Sequence, residues 1–453
     1  MLNKNDIITL NIDSITNEGN GVGRYEGMAV FVPMTAPAEQ VQVRIVKVQK
    51  SYCYGIVEEL LSPSPDRIVP DCPVFKRCGG CSLRHIRYSG ELAAKEQWVA
   101  DAVRRLGGIE LPVLPILPSP QQDGYRNKAQ YPIGKDSTGK VFCGFYAPRT
   151  HSIVPAASCR LQPEFFEALC GAVCAYIEAT GGSVYDEATG TGLFRHLYLR
   201  YGEASGEVMV CLVINGKSIP KPKLLTDSVL AACDKVKSII LNHNTQNTNV
   251  ILGKESTLLW GSDHISDILC GVELDISPLS FYQVNRQGAE QLYGVAARMA
   301  DLSEGQLLLD LYCGAGTIGL SMARQSPKVQ LIGVEIIESA TKNAKSNALR
   351  AGMPEARFIT GDAGFAAAKL ASEGLRPDVI VVDPPRKGCD TPTLDAIEKM
   401  APKHIVIVSC NPATMARDMA RLVERGYTVQ EIQPVDMFPR TNHVEAVALL
   451  SRE

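Results

Sequence analysis

Apolar and polar positions follow two different rhythms along this chain. From about residue 276 onward, short apolar runs alternate with amphipathic stretches. LLLDLY, VQLIGVE, ARFITG, DVIVVD and HIVIVS are separated by segments containing LSMARQ, SATKNAKSNALRAG, FAAAKLAS, TLDAIEKMA and ATMARDMARLVERG. Continuous apolar runs suit strands buried on both faces, and the segments between them have the period of crossover helices. The alternation predicts a parallel, doubly wound α/β sheet over 276–453, with two further strands from YTVQEIQPVDMFP and NHVEAVALLSR at its edge. Residues 4–60 keep period two instead. IITLNIDSI, GMAVFVP, QVQVRIVKVQ and YCYGIVEELL, broken by the turns NEGNGVG and PMTAPAE, predict about five short strands in an OB-like β-barrel over 1–60. The proline-bearing stretch SPSPDRIVPDCP (62–73) ends that unit. Residues 61–275 mix both rhythms, with a helix over 91–108, another in EFFEALCGAVCAYIEATGG, and strands in HLYLRYG and EVMVCLVING, so a mixed α+β central domain is expected.

Composition narrows the class. The chain has 453 residues, 45% hydrophobic and 21% charged, which fits a globular protein and excludes a disordered or fibrous one. No apolar run approaches the roughly 18 residues of a membrane span, and the amino terminus lacks a signal-peptide pattern, so a cytoplasmic protein without a membrane partner is expected. In that compartment the 14 cysteines are expected to be reduced, serving as ligands, nucleophiles or packing residues. The net charge of −3 argues against nucleic acid until its distribution is read. Residues 66–160 carry 14 Lys and Arg against 8 Asp and Glu, and a local basic region is what a phosphate backbone requires.

Candidate chemistry sits at predicted strand ends. Asp310-Leu-Tyr-Cys-Gly314-Ala-Gly316-Thr317-Ile-Gly319 follows the first strand, with Glu335 after the second and Asp362 after the third. The glycine spacing also matches a dinucleotide-binding fingerprint, which keeps an NAD-type Rossmann oxidoreductase as an alternative. The strand-end acid Asp310 resembles class I methyltransferases, where such an acid faces the methionine end of S-adenosylmethionine, with Glu335 at the ribose and Asp362 near the adenine. The fourth strand ends in Asp383-Pro-Pro-Arg-Lys-Gly388 and the fifth in Ser409-Cys410-Asn411-Pro412. A cysteine, an acid and a sulfonium donor in one cleft suit methylation of uracil carbon 5: a thiolate added to carbon 6 makes carbon 5 nucleophilic, and a base later removes its proton. Cys410 precedes a helix starting near Pro412, which is expected to lower the thiol pKa. Glu445 is the preferred base, with His443 competing. Cys72-x5-Cys78-x2-Cys81, with Cys159 as a possible fourth member, has the spacing of a thiolate site for zinc or an iron–sulfur cluster.

Together, DLYCGAGTIGL, DPPRKG, SCNPAT and HVEAV resemble the RNA uracil-carbon-5 methyltransferase family, in its 23S rRNA branch, over essentially the whole chain. The first 60 residues resemble the TRAM domain, an RNA-binding barrel. The resemblance implies a C-terminal Rossmann-like class I methyltransferase with Cys410 as nucleophile, Glu445 as proton-abstracting base and Asp383 contacting the target base and cofactor. It implies Gln283, Tyr312, Glu335 and Asp362 as further cofactor contacts; Thr317 stands where members often carry asparagine. It also implies a [4Fe–4S] cluster on Cys72, Cys78, Cys81 and Cys159, and 23S rRNA as partner of a monomer, with the tRNA T-loop uracil as alternative. The 91–108 helix is expected on the catalytic domain. TRAM-containing radical enzymes that use adenosylmethionine are the remaining rival, but they show C-x3-C-x2-C where this chain has x5.

Overall fold

The structure, a computed structural model, describes residues 2–452. Strands β1 (Ile7–Asn11), β2 (Ser14–Ile15), β3 (Asn20–Tyr25), β4 (Met28–Pro33), β5 (Gln40–Val48) and β6 (Tyr52–Ser62) form one sheet in the order β1-β5-β6-β4-β3-β2. Alternate side chains point inward, so Val41, Val43 and Ile45 of β5 meet Leu10, Val30 and Val32 in a small separate core. Six strands appear where the pattern suggested five, because Ser14–Ile15 pairs briefly with Gly21–Val22.

Helix α1 (Tyr88–Arg105) begins and ends three residues before the expected 91–108. Gly107 and Gly108 stop it, the latter in a left-handed conformation at φ 62°. The central sheet contains β7 (Lys128–Lys135), β8 (Val141–Tyr146), β9 (Ile153–Pro155), β10 (Phe194–Tyr201), β11 (Val208–Ile214), β12 (Val236–His243) and β13 (Glu255–Gly261), in the order β13-β12-β11-β10-β7-β8-β9. Helices α2 (Phe166–Ala179) and α3 (Pro222–Ala232) cover one face. The other face packs on the carboxy-terminal half: Val210 and Leu212 of β11 look toward α2 and α3, while Met209, Cys211 and Val213 join the catalytic core. Both faces of β11 are therefore buried, and every residue in it is apolar.

After the hairpin β14 (Ile265–Leu269) and β15 (Val272–Ile276) comes α4 (Arg286–Ala300), capped by Asn285, whose side chain accepts from the Gly288 N–H at 3.0 Å. The alternating region then folds as β16 (Leu307–Leu311), α5 (Thr317–Ala323), β17 (Gln330–Glu335), α6 (Glu338–Arg350), β18 (Arg357–Thr360), α7 (Ala363–Ser372), β19 (Val379–Val382), α8 (Thr391–Met400), β20 (His404–Ser409), α9 (Pro412–Val423), β21 (Thr428–Val435) and β22 (Glu445–Ser451). The sheet order is β18-β17-β16-β19-β20-β22-β21, with β22 antiparallel to both neighbours. The chain reverses direction across the sheet between β16 and β19, and open α/β sheets bind ligands outside the carboxyl ends at such a point. Helix α1 docks on this unit, placing Trp98, Val99 and Val103 in one apolar cluster with Met415, Ala416 and Met419 of α9. No helix among the described residues is long and apolar enough to cross a membrane.

Candidate active site

The loop after β16 is built for close approach to a ligand. Tyr312, Gly314 and Gly316 take positive φ values of 67°, 56° and 79°, turning the chain sharply into α5. A methyl group at Gly314 would meet nothing within 4 Å, whereas one at Gly316 would press on Phe358 and Ala344. Gly314 thus faces open space and Gly316 the core. Asp310 is buried; one carboxylate oxygen accepts from the Gly319 N–H at 2.9 Å and the other, Oδ1, has no partner. Burial, reinforced by Asp383 and Glu335, pushes its pKa up to about 8. Glu335 accepts from the N–H groups of Gly314 (3.0 Å) and Ile337 (2.8 Å). Asp362 caps α7, accepting from Phe365 at 3.2 Å.

The other expected cofactor residues divide between two sides. Gln283 lies 3.5 Å from the Tyr293 hydroxyl, which is itself 3.4 Å from the Thr317 hydroxyl. Tyr312 turns the other way, toward Thr393 at 3.1 Å and the side carrying Asp362. Tyr293, a buried α4 residue that feels Asp383, was not singled out in the sequence; an aromatic on an amphipathic helix reads there as core. Nor were Ile336 and Phe365, 64% and 82% exposed just beyond Glu335 and Asp362, where an apolar side chain has no packing role.

At the adjoining strand ends, Asp383 and Cys410 follow β19 and β20. The β20–β22 register pairs Ser409 with Ala446, so its next step sets Cys410 opposite Glu445. Asn411 caps α9 and donates from its side chain to the Arg386 carbonyl at 3.0 Å, while the Thr414 hydroxyl donates to the same carbonyl at 3.2 Å. The Asp383 and Cys410 loops are thereby tied together. Three acidic groups share one volume. Glu445 is pushed well above the usual carboxylate range by burial and by Asp383, against the pull of Arg386. Asp383 rises to about 7 through burial.

The Cys410 thiol is also raised, by burial and then by Glu445 and Asp383, with Arg386 opposing. The expected lowering at a helix amino terminus is overturned in net direction, because burial beside two carboxyls outweighs it. His443 falls to about 4 through burial, with Arg386 and Arg126 adding, so it is neutral at pH 7. Val444 between them is buried in the apolar core.

Cys72, Cys78, Cys81 and Cys159 line one cavity of about 90 Å³, together with Arg126 and Phe145. Burial raises the thiols of Cys78, Cys81 (to about 12) and Cys159, and neighbouring thiols of the set contribute to each. Among the described residues, no group of three or more His, Cys, Asp or Glu has the arrangement of a metal-ion site. Ser82 and Leu83, next to Cys81, donate their N–H groups to the Arg440 carbonyl at 2.9 and 3.1 Å. Asn442 donates to the Asn17 carbonyl of the barrel at 2.9 Å. The connection between β21 and β22, which delivers Glu445, thus touches both the cysteine loop and the barrel.

A doubly wound sheet with this loop, a buried acid beneath it with one oxygen unpartnered, and acidic strand ends beside it defines a class I S-adenosylmethionine-dependent methyltransferase. Comparison with known proteins narrows the class. The tRNA (Uracil-5-)-methyltransferase family matches residues 271–453 and the TRAM domain matches residues 3–57. A Bacillus cereus RNA methyltransferase is 42% identical over 450 residues, covering 99% of this chain and 97% of that protein. A Clostridium tetani RNA methyltransferase is 42% identical over 448 residues, 99% and 97% of the two chains. The crystal structure of Pyrococcus abyssi tRNA (uracil-54, C5)-methyltransferase with S-adenosyl-L-homocysteine superposes with a TM-score of 0.77 at 28% identity, over 98% of this chain and 99% of that one. The chain belongs to the RNA uracil-carbon-5 methyltransferase family and is an RNA-modifying enzyme with an amino-terminal TRAM domain.

Proposed function

We propose that this enzyme methylates carbon 5 of a uracil in 23S rRNA through a covalent bond between Cys410 and carbon 6. The observation that carries the reading is the meeting of Cys410, Asp383 and Glu445 at three neighbouring strand ends. The Cys410 thiolate adds to carbon 6, and the ring electrons shift to make carbon 5 nucleophilic. S-adenosylmethionine, when bound, supplies the electrophilic methyl group. Glu445 then takes the carbon-5 proton, and the carbon 6–sulfur bond breaks to return the thiolate. Its raised pKa makes Glu445 a stronger base than an exposed carboxylate. Asp383 accepts hydrogen bonds from the base edge, and Arg386 offsets the gathered negative charge.

The residues present fit the cofactor. Asp310 Oδ1 lacks a donor, Gly314 leaves room, and Glu335 retains acceptor capacity for ribose hydroxyls after its two backbone bonds. Gly316 keeps the loop on the core, Thr317 and Gln283 flank it through Tyr293, and Tyr312 and Asp362, with the exposed Ile336 and Phe365, would hold the adenine end. The four cysteines line one cavity, and the family resemblance favours a [4Fe–4S] cluster there, with zinc as the alternative. When bound, such a cluster would bridge the loop at 72–81 and Cys159 and so stiffen the ground beside Arg440.

The resemblance to the 23S rRNA branch of the family favours 23S rRNA. The similarity to an enzyme named for tRNA uracil 54 favours a second reading, the T-loop uracil of tRNA. Mapping 5-methyluridine in rRNA and tRNA from a deletion strain separates the two. Cys410→Ala is expected to abolish methylation while keeping cofactor binding, and Glu445→Gln to accumulate an RNA–protein adduct that survives denaturing electrophoresis. Turnover by Cys410→Ala would end the covalent reading. Stoichiometric zinc without iron or sulfide in anaerobically purified protein would end the cluster reading.

A further inference from the structure

A second cleft, of about 580 Å³, lies in the central domain between β7, β8 and the segment 184–188. No role described above uses it. Its walls are aromatic and its polar groups point several ways. The Arg195 guanidinium lies 4.3 Å from the centre of the Tyr185 ring, held there by bonds of 2.7 and 2.8 Å to the carbonyls of Asn244 and Gln246. The Tyr146 hydroxyl donates to Glu187 at 2.9 Å, and Glu187 also holds His151. His196 is only 6% exposed, and its Nδ1 has no partner. Burial holds that imidazole near a pKa of about 4, so it is neutral, with Nε2 3.4 Å from the Tyr146 hydroxyl and Nδ1 left without a partner.

Charge identifies the ligand class. Lys135, Arg195 and His151 face Asp186 and Glu187, so the cleft is not an anion trap. An uncharged planar ring with donors and acceptors at its edge matches a lining that holds the Phe142, Tyr146 and Tyr185 rings and a mixed polar rim, and that describes an unpaired nucleobase. Position points the same way. The Gly79 N–H, between Cys78 and Cys81, donates to the Tyr146 carbonyl at 3.3 Å, and the same cysteine loop is bonded to Arg440 near the catalytic cleft. The cysteine loop thus links the rim of this cleft to the segment that delivers Glu445.

We infer that this cleft takes a second unpaired nucleobase of the substrate RNA and so contributes to choosing the site of methylation. The inference rests on RNA being the substrate. The test crosslinks full-length holoenzyme by ultraviolet light to protein-free total RNA from cells lacking the enzyme, and locates nucleotide-bearing peptides by mass spectrometry. Methylation kinetics are measured on the same RNA. Nucleotides are expected on Tyr146, His151 or Tyr185. Tyr185→Ala is expected to raise KM for RNA about tenfold with kcat unchanged, since one base–aromatic stack is worth roughly that much. Glu187→Gln, at a partly exposed carboxylate, gives a variant that leaves the core untouched and is expected to raise KM in the same direction. Crosslinks elsewhere but none within 142–153 or 184–196, or unchanged KM in both variants, would overturn the inference. Wild-type methylation without those crosslinks rejects the cleft alone; absence of wild-type methylation rejects the RNA reading and the cleft with it.

Discussion

Replacing Lys95 with methionine tests how α1 holds the catalytic half. The Lys95 ammonium has no solvent exposure and donates to Glu91 at 2.8 Å, Asp436 at 2.7 Å and the Phe438 carbonyl at 3.1 Å. Arg440 approaches Glu91 at 3.7 Å, and the Tyr88 hydroxyl donates to Asp436 at 2.8 Å. Two buried carboxylates are thus balanced by two cations. Removing the closer cation leaves an uncompensated buried charge, which costs about 3–5 kcal/mol. Burial raises the Glu91 pKa even with Lys95 present, so in the variant this group takes up a proton to limit the loss. A carboxyl whose folded pKa exceeds its unfolded value stabilises the fold at low pH and loses that contribution as pH rises. The deficit of Lys95→Met is therefore largest at pH 8 and smaller at pH 5. Trp98 lies on the same helix and donates to the Ile15 carbonyl of the barrel at 2.7 Å, so its fluorescence in a Trp260→Phe background reports on this seam. With an m-value of about 2–3 kcal/mol per M, the urea midpoint should fall by roughly 1–2 M at pH 8. Adding Glu91→Gln and Asp436→Asn should restore most of it. A midpoint unchanged at pH 8, or equally shifted at pH 5 and pH 8, would refute the account.

Cofactor affinity should depend on pH in the direction set by Asp310 and Asp383, whose pKa values are pushed up to about 8 and about 7. A sulfonium-bearing ligand favours their ionised forms, so S-adenosylmethionine should bind tighter by up to roughly tenfold per pH unit between pH 6 and 8, releasing protons in calorimetry; a flat profile counts against it. The free enzyme should move oppositely, losing thermal stability as pH rises through these values, because both carboxyls ordinarily titrate near 3.9 when unfolded. Gly319→Ala would set a methyl group 2.7 Å from the Asp310 carboxylate and 2.9 Å from Leu331. Relieving that overlap costs about 1–3 kcal/mol of folding stability, read as a lower urea midpoint, and an unchanged midpoint would refute it.

The strands of the catalytic sheet were legible because their function is burial. Runs such as VIVV of β19 are apolar on both faces, and no other element of that length needs to be. The caps were not read: Asp362, Asp390 and Asn411 satisfy orphan N–H groups at the starts of α7, α8 and α9, a role no sequence expectation assigned to them. Long-range electrostatics was not legible either. The helix beginning at Pro412 could be seen beside Cys410, but the two carboxyls and the burial that outweigh it arrive from β19 and β22. Lys95 shows the same limit. On an amphipathic helix a lysine reads as solvated, and only the return of the chain at Asp436, 341 positions later, makes it an internal ligand. Tyr293 and the central-domain cleft likewise depend on which strands become neighbours, and the order β13-β12-β11-β10-β7-β8-β9 is not encoded in any local pattern.

The basic segment 66–160, which first suggested RNA, changes meaning once its partners are known. Of its 14 cations, six are engaged within the protein: Arg67 with Glu39, Arg84 and Arg160 with Asp71 and Asp123, Lys95 with Glu91 and Asp436, and Arg104 and Arg105 with Asp101. An ion-paired cation releases few counterions when RNA arrives, so these add little to affinity. The other eight, Lys76, Arg77, Arg87, Arg126, Lys128, Lys135, Lys140 and Arg149, make no ion pair among the described residues. Burial and the neighbouring Arg200 and Arg126 lower Lys128 to about 8, so it stays mostly charged at pH 7. Arg126 lines the cysteine cavity, Lys76 and Arg77 lie between Cys72 and Cys78, and Lys135 lines the second cleft. Four of these eight cations, Lys76, Arg77, Arg126 and Lys135, therefore sit at the cysteine loop or the second cleft. A net charge of −3 is compatible with an RNA substrate because cations without an internal ion pair remain at the cysteine loop and the second cleft.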